Sequence, residues 1–274
     1  MKDLNPKLDH TIKLSSAGLV YHHFGRDVLV EVLRSLGSEQ NDEEKLDIFY
    51  EQIYRKFVKE IDGIDNGITI AENPKYEIHT GISSRISHFN LQWTEEQTDE
   101  KFLARFLQAI DYIREEFVSL VRQLNNFWWP SRDIVKKAID GRFEVDKSGA
   151  IIEITSQIVP PYLKHLFMIE KQLDIEAQIK YAIFKDGKVF RVRAIPVHDE
   201  SFILRKPLLK EWRGLRDQEL CELTGLTDCI FVHSTGFIGG AGSRESALEM
   251  ARRSLAADEP NENLENGSKK PKLC

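Results

Sequence analysis

The segment Ile61-Asp62-Gly63-Ile64-Asp65-Asn66-Gly67 places two carboxylates three residues apart at the end of a strongly patterned helix. Asn41, with Glu44 three residues later, is typical of the capping box that begins such a helix. At about 100° per residue, Asp65 falls at the edge of the helix's apolar face and Asp62 about 60° further out, so we predict that Asp65 is the more buried. The apolar face repeats at steps of three and four residues, through Leu46, Phe49, Ile53, Phe57, Ile61 and Ile64.

Asp62 and Asp65 have two interpretations from spacing alone. A buried carboxylate needs a hydrogen-bond donor, a cation or a metal ion as its partner, so the pair is a candidate metal site. Alternatively, the two aspartates form the polar end of a helix that Asn66-Gly67 terminates as a turn.

The overall composition is that of a globular protein. The 274 residues include 41% hydrophobic and 30% charged residues, and the formal net charge is −6. No apolar run approaches the roughly 18 residues of a membrane helix. Cys221, Cys229 and Cys274 lack the spacing of a zinc site or a disulfide framework, which favours a reducing, intracellular compartment.

A basic segment interrupts this acidic background. Between Lys185 and Arg216, nine Lys and Arg residues stand against four Asp and Glu residues, a local charge of 9 − 4 = +5. Such a segment is typical of a surface that binds phosphate or nucleic acid. A solvated face of a sheet gives the same pattern.

The first part of the chain is predicted to be mostly helical. A serine caps a helix that begins near Leu14, Phe24-Gly25 interrupts it, and Gly37 ends the helical run that follows. Thr98 caps the longest helix, which stops before Pro130. The predicted apolar stripe of this longest helix consists of Phe102, Phe106, Ile110, Phe117, Val121 and Leu124.

The second part mixes strands and helices. Phe143–Val145 and Ala150–Ile154 are predicted strands joined by a turn, and Asp186-Gly187 is a strong hairpin signal between two β-rich runs, residues 179–184 and 189–195. The later predicted elements are a helix at residues 217–223, a strand at 229–233, a glycine-rich loop at 234–242 and a helix that begins at Ser243.

The strand, glycine-rich loop and helix between Cys229 and Arg252 form a second candidate site. Glycines let backbone amides approach a ligand closely, and a helix N-terminus favours an anion. His233 could donate to a phosphate oxygen, and Arg244 in the first turn of the helix calls for a nearby anion. The loop is not a Walker loop, because no Gly-Lys-Ser/Thr follows. The alternative is a tight strand–helix connection with a buried, hydrogen-bonded His233.

Trp212 lies beside Arg213 and Arg216 in the basic segment. Tryptophan next to arginines suits stacking on a base and pairing with a phosphate. Trp212 could equally be a core residue with two solvated arginines beside it.

Five segments carry a resemblance to a known family: Leu14–Tyr21 (LSSAGLVY), His23–Gly25 (HFG), Ile61–Gly67 (IDGIDNG), Glu211–Asp217 (EWRGLRD) and Phe231–Gly240 (FVHSTGFIGG). Together they resemble the Myg exonuclease family, which is named after the melanocyte proliferating gene and belongs to the DHH phosphoesterase group. The resemblance runs from about Leu14 to Leu255. It implies a two-domain α/β protein of the DHH-phosphoesterase type, with a partial N-terminal α/β domain and a C-terminal α+β domain with a mixed sheet.

The same resemblance implies a metal-dependent 3′–5′ exonuclease acting on RNA, with Mn²⁺ or Mg²⁺ in the first domain and an RNA or nucleotide phosphate held by the second. Asp65 and, less closely, Asp62 match the family's metal-binding aspartate. The residues that match its substrate-binding positions are His233, Gly236, Gly239, Gly240, Arg213 and Arg216.

The family's metal site also draws on His-x-Asp, Asp-Val-Gly and Asp-His-His segments ahead of the LSSAG helix. Only 13 residues precede Leu14 here, and Asp9-His10 is the nearest match. We therefore expect an N-terminally truncated member with weak or absent catalysis, because two-metal phosphoryl chemistry needs several carboxylates and imidazoles. The alternative is a non-catalytic module that binds RNA or a nucleotide.

The expected division is a partial catalytic domain at residues 1–130, a connector at 131–142, a substrate-binding domain at 143–257 and a disordered tail at 258–274. Lys269-Lys270-Pro271-Lys272 matches a short basic nuclear-import pattern. The family resemblance implies a location in the nucleus and the mitochondrion.

Overall fold

The chain divides into two units, residues 1–129 and 130–274. The structure, a computed structural model, describes residues 11–38 and 42–257. The predicted cap at Asn41, the predicted disordered tail and the basic tetrapeptide at residues 269–272 lie outside the described residues. In the described part of the chain, no helix combines the length and the apolar character needed to cross a membrane.

The first unit is built from helices, and its described residues contain no strand. Two short π-helical turns lie in it, Tyr54–Val58 directly before α3 and Leu124–Trp128 directly after α5. Its α-helices are α1 (Ser16–Ser35), α2 (Glu43–Ile53), α3 (Lys59–Asp65), α4 (Ile82–Ser87) and α5 (Asp99–Gln123).

Helix α1 begins and ends where the sequence predicts but has no break in the middle. Ser15 is its N-cap and accepts a hydrogen bond from the Gly18 amide at 3.3 Å. Gly37 adopts a φ of 71° just past its end, as a helix-terminating glycine does. The predicted interruption at Phe24-Gly25 is wrong: Gly25 is buried, and a Cβ on it would lie 2.8 Å from the Tyr21 ring. The glycine is there for close packing between aromatic rings.

Helix α5 begins at the predicted cap, Thr98, but most of its predicted apolar stripe is not buried. Val121, near its C-terminal end, and Leu124, directly after it, are buried, whereas Phe106 keeps 62% of its surface exposed. The exposed side chains border a groove of about 880 Å³. Its lining comes from α1, α4 and the segment that follows it, α5 and the first π-helical turn, and includes Val28, Phe57, Phe89, Phe102, Phe106, Ile110 and Phe117.

The second unit contains a mixed five-stranded sheet with the strand order β1-β2-β3-β5-β4. Strands β1 and β2 are parallel, and all other neighbours are antiparallel. The predicted α/β class with a mixed sheet is therefore confirmed. The elements are α6 (Ser131–Asp140), α7 (Arg142–Val145), β1 (Ile151–Ile154), α8 (Leu163–Gln172), β2 (Tyr181–Asp186), β3 (Val189–Ala194), α9 (Asp217–Thr224), β4 (Cys229–Val232), β5 (Ile238–Ala241) and α10 (Arg244–Ala256).

The two faces of this sheet are covered differently. One face, which includes Val192 and Ala241, packs against α10 through Met250 and Ala251. The opposite face packs against α6 and α8. Among the described residues, this second core takes its strand side chains from β1 and β2 and none from β4 or β5. The sheet therefore keeps a half-open face over β3, β5 and β4.

A buried ion pair fixes α8 to the chain around β2. The Arg205 guanidinium donates from Nη1 to Glu170 Oε1 at 2.7 Å and from Nη2 to Oε2 at 2.6 Å. Glu170 Oε1 also accepts from the Ile179 amide at 3.2 Å. Both side chains are almost completely buried, so removal of one partner is expected to cost much of the free energy of unfolding.

Two predicted elements of this unit are wrong. Phe143–Val145 is not a strand: Arg142–Val145 forms a helical turn, since three residues with an apolar-polar-apolar pattern do not distinguish a strand from a helix. The glycine-rich segment at 234–242 is not wholly a loop, because Ile238–Ala241 forms β5, an inner strand between β3 and β4. The hairpin at Asp186-Gly187 and the cap at Ser243 are confirmed.

Candidate functional site

Asp62, and not Asp65, is the buried aspartate of the first unit. Asp62 has no exposed surface. Its Oδ1 accepts hydrogen bonds from the Ser15 amide at 2.9 Å and the Ser15 hydroxyl at 2.6 Å, and its Oδ2 accepts from the Tyr54 hydroxyl at 3.1 Å. Gly18 lies against the same carboxylate, since a Cβ on it would be 2.3 Å from Oδ1. This carboxylate thus sits at the N-terminus of α1, where the helix dipole favours an anion.

The π-helical turn explains why the predicted order of burial is reversed. A π-turn accommodates one extra residue, so every later side chain is rotated by about 100° relative to a regular helix. The rotation moves Asp62 towards the buried face. Asp65 is exposed because it is the last residue of α3, where packing ends, and the neighbouring Ile64 is half exposed as well.

The surroundings of Asp62 and Asp65 do not form a metal site among the described residues. Both oxygens of Asp62 already accept hydrogen bonds, and Asp65 lies apart on the surface. Within residues 11–38 and 42–257, no three His, Cys, Asp or Glu side chains gather in a group that could hold a metal ion. The described residues therefore do not fit a two-metal centre, and no catalytic step follows from them. A metal role for Asp62 or Asp65 stays a prediction.

The three glycines predicted to bind substrate lie in different structural environments. Gly236 has a φ of 71° and closes a turn against Leu208 and Arg213. Gly239 faces the α10 core, where a Cβ would lie 2.9 Å from Met250 Cε. Gly240 faces the other side, where a Cβ would lie 2.5 Å from Arg191 Nη1. Of the three, Gly240 is the one that shapes the half-open face.

His233 is exposed, so the interpretation that it is a buried histidine is wrong. Its Nδ1 accepts a hydrogen bond from the Thr235 amide at 3.2 Å and lies 3.0 Å from the Thr235 hydroxyl. The hydrogen of the neutral ring is therefore on Nε2. The ring also packs edge-on against Phe237, with 4.7 Å between ring centroids. Held in this way, His233 can present Nε2–H as a donor to an anion.

The EWRGLRD segment contains one core residue and two arginines in different environments. Trp212 is buried, which confirms the core interpretation over base stacking. Arg213 is partly buried, and its Nε donates to the Leu208 carbonyl at 2.8 Å. Arg216 is exposed and pairs through its backbone with Phe231 on β4. Of the two arginines, Arg216 is the one that lies on the surface.

Arg191 and Phe231 form a cluster with Arg216 that the sequence analysis did not predict. The Arg191 guanidinium lies 5.2 Å from the centroid of the Phe231 ring, and the Arg216 guanidinium lies 5.7 Å from it. The local charge of the basic segment pointed to this region. The pairing of β3, β5 and β4 was needed to select these residues, because they are distant in sequence.

The anion expected beside Arg244 is a carboxylate of the protein itself. Arg244 donates to both oxygens of Glu153, with distances of 2.6 to 2.9 Å. This hydrogen bonding raises the pKa of the Arg244 guanidinium. The positive charge of Arg244 at the start of α10 is therefore balanced by Glu153 of the protein itself. The pair does not support a phosphate site at this helix.

The comparison with protein families decides which family this chain belongs to. The family model MYG1_exonuc, described as an uncharacterised protein family (UPF0160), matches residues 1–255. The chain is a member of the MYG1 family.

MYG1 proteins from distant organisms are similar to it over most of its length. A MYG1 protein of Caenorhabditis elegans is 43% identical over 97% of this chain, and a MYG1 protein of Saccharomyces cerevisiae is 40% identical over 89%. The MYG1 exonuclease of Bos taurus is 40% identical over 93% of this chain. The chain spans 76%, 73% and 66% of these three relatives, respectively. No solved structure matches the chain.

Proposed function

We propose that this MYG1 family member binds single-stranded RNA through its second unit, and that the reaction of the family is 3′–5′ exonucleolytic hydrolysis of RNA. The observation that carries the proposal is membership of a family whose mammalian members are named exonucleases. The exposed Arg216, the presented Nε2 of His233 and the half-open sheet face support RNA binding by this unit.

The proposal includes a divalent metal, Mn²⁺ or Mg²⁺, for the family reaction, and weak or absent hydrolysis by this chain alone. Such a metal would supply an activated water and neutralise the phosphate charge. Asp62 is committed to Ser15 and Tyr54, so its carboxylate supports the first unit's structure. Asp65 is the carboxylate of the pair that is accessible to a ligand.

The test is degradation of 3′-labelled single-stranded RNA by the purified chain, with Mn²⁺ and with chelator. We expect the chain to bind the RNA but to release no mononucleotides, either with Mn²⁺ or with chelator. Chelator-sensitive release that is lost in Asp65→Asn and kept in Asp111→Asn, another exposed aspartate, would show that the chain has a working metal site, and the proposal of weak catalysis would be wrong.

The cluster of Arg191, Phe231 and the exposed Arg216 favours a second candidate function, a non-catalytic module that holds RNA or a nucleotide. In that case RNA binding persists in Asp65→Asn and weakens in Arg216→Ala. A folded chain that shows no RNA binding at moderate salt would rule out both candidates. The nuclear and mitochondrial location is proposed from the family resemblance alone.

A further inference from the structure

We infer that Arg191, Gly240, Phe231 and Arg216 form a binding row for single-stranded nucleic acid on the half-open face of the sheet, in which the two guanidinium groups bind phosphates or stack on bases. This inference rests on the proposed RNA binding and names the residues that would perform it. It also replaces the glycine-loop phosphate site predicted from sequence with a side-chain site on neighbouring strands.

The four residues occupy one continuous row across three strands and the adjoining segment. Arg191 on β3 is opposite Gly240 on β5, Gly240 is opposite Phe231 on β4, and Phe231 is opposite Arg216. Directly opposite residues of a β-ladder project to the same face of the sheet. The row continues into Phe184 of β2, which is opposite Arg191 and belongs to the core under α6 and α8. The row therefore lies on the half-open face, beside a rigid core.

Gly240 makes the row possible because it removes the side chain that would separate Arg191 from Phe231. A Cβ at Gly240 would lie 2.5 Å from Arg191 Nη1 and 3.0 Å from Phe231 Cε1. The guanidinium therefore crosses the strand over the glycine and meets the aromatic ring. A guanidinium within about 6 Å of a ring centroid is attracted to the ring, so Phe231 holds both cations in place.

The two guanidinium groups keep donors for a ligand. In the described part of the chain, the Arg191 guanidinium makes one hydrogen bond, from Nε to the exposed Asp186 at 3.1 Å. Arg216 makes no side-chain hydrogen bond or ion pair to a described residue and is exposed. An unpaired guanidinium fork matches phosphate oxygens in a bidentate geometry.

Nucleic acid fits this row better than an acidic peptide does. Bases of single strands stack on guanidinium planes and aromatic rings, and phosphates pair with the same cations, so one row serves both parts of a nucleotide. The exposed His233, at the end of β4, adds a donor on Nε2. The whole chain carries a net charge of −6, so attraction of a polyanion must come from a local cluster such as this one.

The experiment measures binding of a fluorescein-labelled oligouridine of about ten nucleotides, a typical length for one single-strand site, by anisotropy in chelator over a range of salt concentrations. Arg191→Gln and Arg216→Gln are each expected to weaken binding by about tenfold or more, as the loss of a charge-assisted hydrogen bond does. Each is also expected to lower the salt slope by about 0.7, the value for one phosphate contact on a single strand. Arg252→Gln is the matched control, because Arg252 lies on α10 and pairs with Asp146.

Two further variants separate the geometry of the row from its charge. Gly240→Ala keeps every charge but displaces Arg191, so it is expected to weaken binding while the protein remains folded. Phe231→Leu keeps an apolar side chain but removes the ring, and a two- to fivefold loss is expected from about one cation–π contact. The thermal midpoint of each variant is measured in parallel.

Two results would overturn the inference while the proposed RNA binding stands: binding by the wild-type chain that is unchanged in both arginine variants, or binding that falls equally in Arg252→Gln. Polyglutamate that competes as well as unlabelled oligouridine at equal charge would also overturn it, because the row would then be a general anion surface. A wild-type chain that does not bind oligouridine would overturn the inference and the proposed function together.

Discussion

Asp62 shows that a buried acidic residue in this chain belongs to the framework of the first unit. Three hydrogen bonds from Ser15 and Tyr54 surround its carboxylate, and Gly18 leaves just enough room for it. The carboxylate links the end of α3 to the beginning of α1. Asp65, three residues later, makes no comparable contribution because it lies on the surface.

The two aspartates give a direct comparison of stability. Asp62→Asn replaces an acceptor oxygen by an amide that points at a donor, so we expect a loss of about 1–3 kcal/mol in the free energy of unfolding. Asp65→Asn should change it by less than about 0.5 kcal/mol, as most exposed substitutions do. Urea unfolding followed by circular dichroism measures both. Equal effects of the two substitutions would contradict the assignment of Asp62 as the structural carboxylate.

Gly18 and Gly63 test the same contact from the other side. Alanine is the better helix former, yet Gly18→Ala should destabilise the protein because its Cβ would lie 2.3 and 2.5 Å from the Asp62 oxygens. Gly63→Ala is the matched control in α3, since the nearest atom to its Cβ would be Ile12 Cδ1 at 3.9 Å. We expect it to be neutral or stabilising by up to about 1 kcal/mol. A thermal melt in which Gly18→Ala is at least as stable as wild type would count against the contact.

At the scale of elements, local signals predicted boundaries better than they predicted environments. The caps at Ser15, Thr98 and Ser243 and the hairpin at Asp186-Gly187 follow from backbone hydrogen bonding within a few residues, and all four are confirmed. Strand β5 was missed because glycines lack β-propensity, and the strand is formed by pairing with neighbours on both sides.

The candidate site was predictable only in part for the same reason. The basic segment and Arg216 could be found from charge, whereas the proximity of Arg191 to Phe231 depends on strand order and on a glycine between them. The burial of Asp62 depends on a π-turn, and no periodic pattern reveals such a turn. Predictions based on a regular helix therefore fail just after it.

The ion pair between Glu170 and Arg205 allows a prediction for the second unit. Glu170→Gln removes the negative charge that faces the buried Arg205 guanidinium, and we expect a loss of about 3 kcal/mol or more in the free energy of unfolding. Glu249→Gln breaks the exposed pair with Arg253 and should cost less than about 0.5 kcal/mol. Chemical denaturation of both variants measures the difference. Similar losses for the two would mean that Glu170 contributes no more than a surface charge.

At the scale of the whole molecule, the exposure of the apolar face of α5 is the feature that the overall composition does not predict. Phe102, Leu103, Phe106 and Leu107 each keep at least half of their surface exposed, in the structure of the chain by itself. Exposed apolar patches of this kind promote association and bind hydrophobic dyes.

Phe106 provides a test of that surface. We expect Phe106→Glu to lower the fluorescence of a bound naphthalene-sulfonate dye, with little change in the thermal midpoint, because the side chain contributes little to a core. Gln108→Glu adds the same charge at another exposed position of α5 and should leave the dye signal unchanged. A Phe106→Glu variant that unfolds well below the wild-type temperature would show that this face is packed.

The π-turn between α2 and α3 also has a consequence for how this helix tolerates changes of length. Its extra residue is an insertion that the helix absorbs locally, as the bond from the Lys59 amide to the Tyr54 carbonyl shows. A chain that lacks one residue between Arg55 and Phe57 can therefore form a regular helix and still bring Asp62 to Ser15. In a deletion scan, removal of one residue should be tolerated at this position. Single-residue deletions elsewhere in the helix should destabilise the protein.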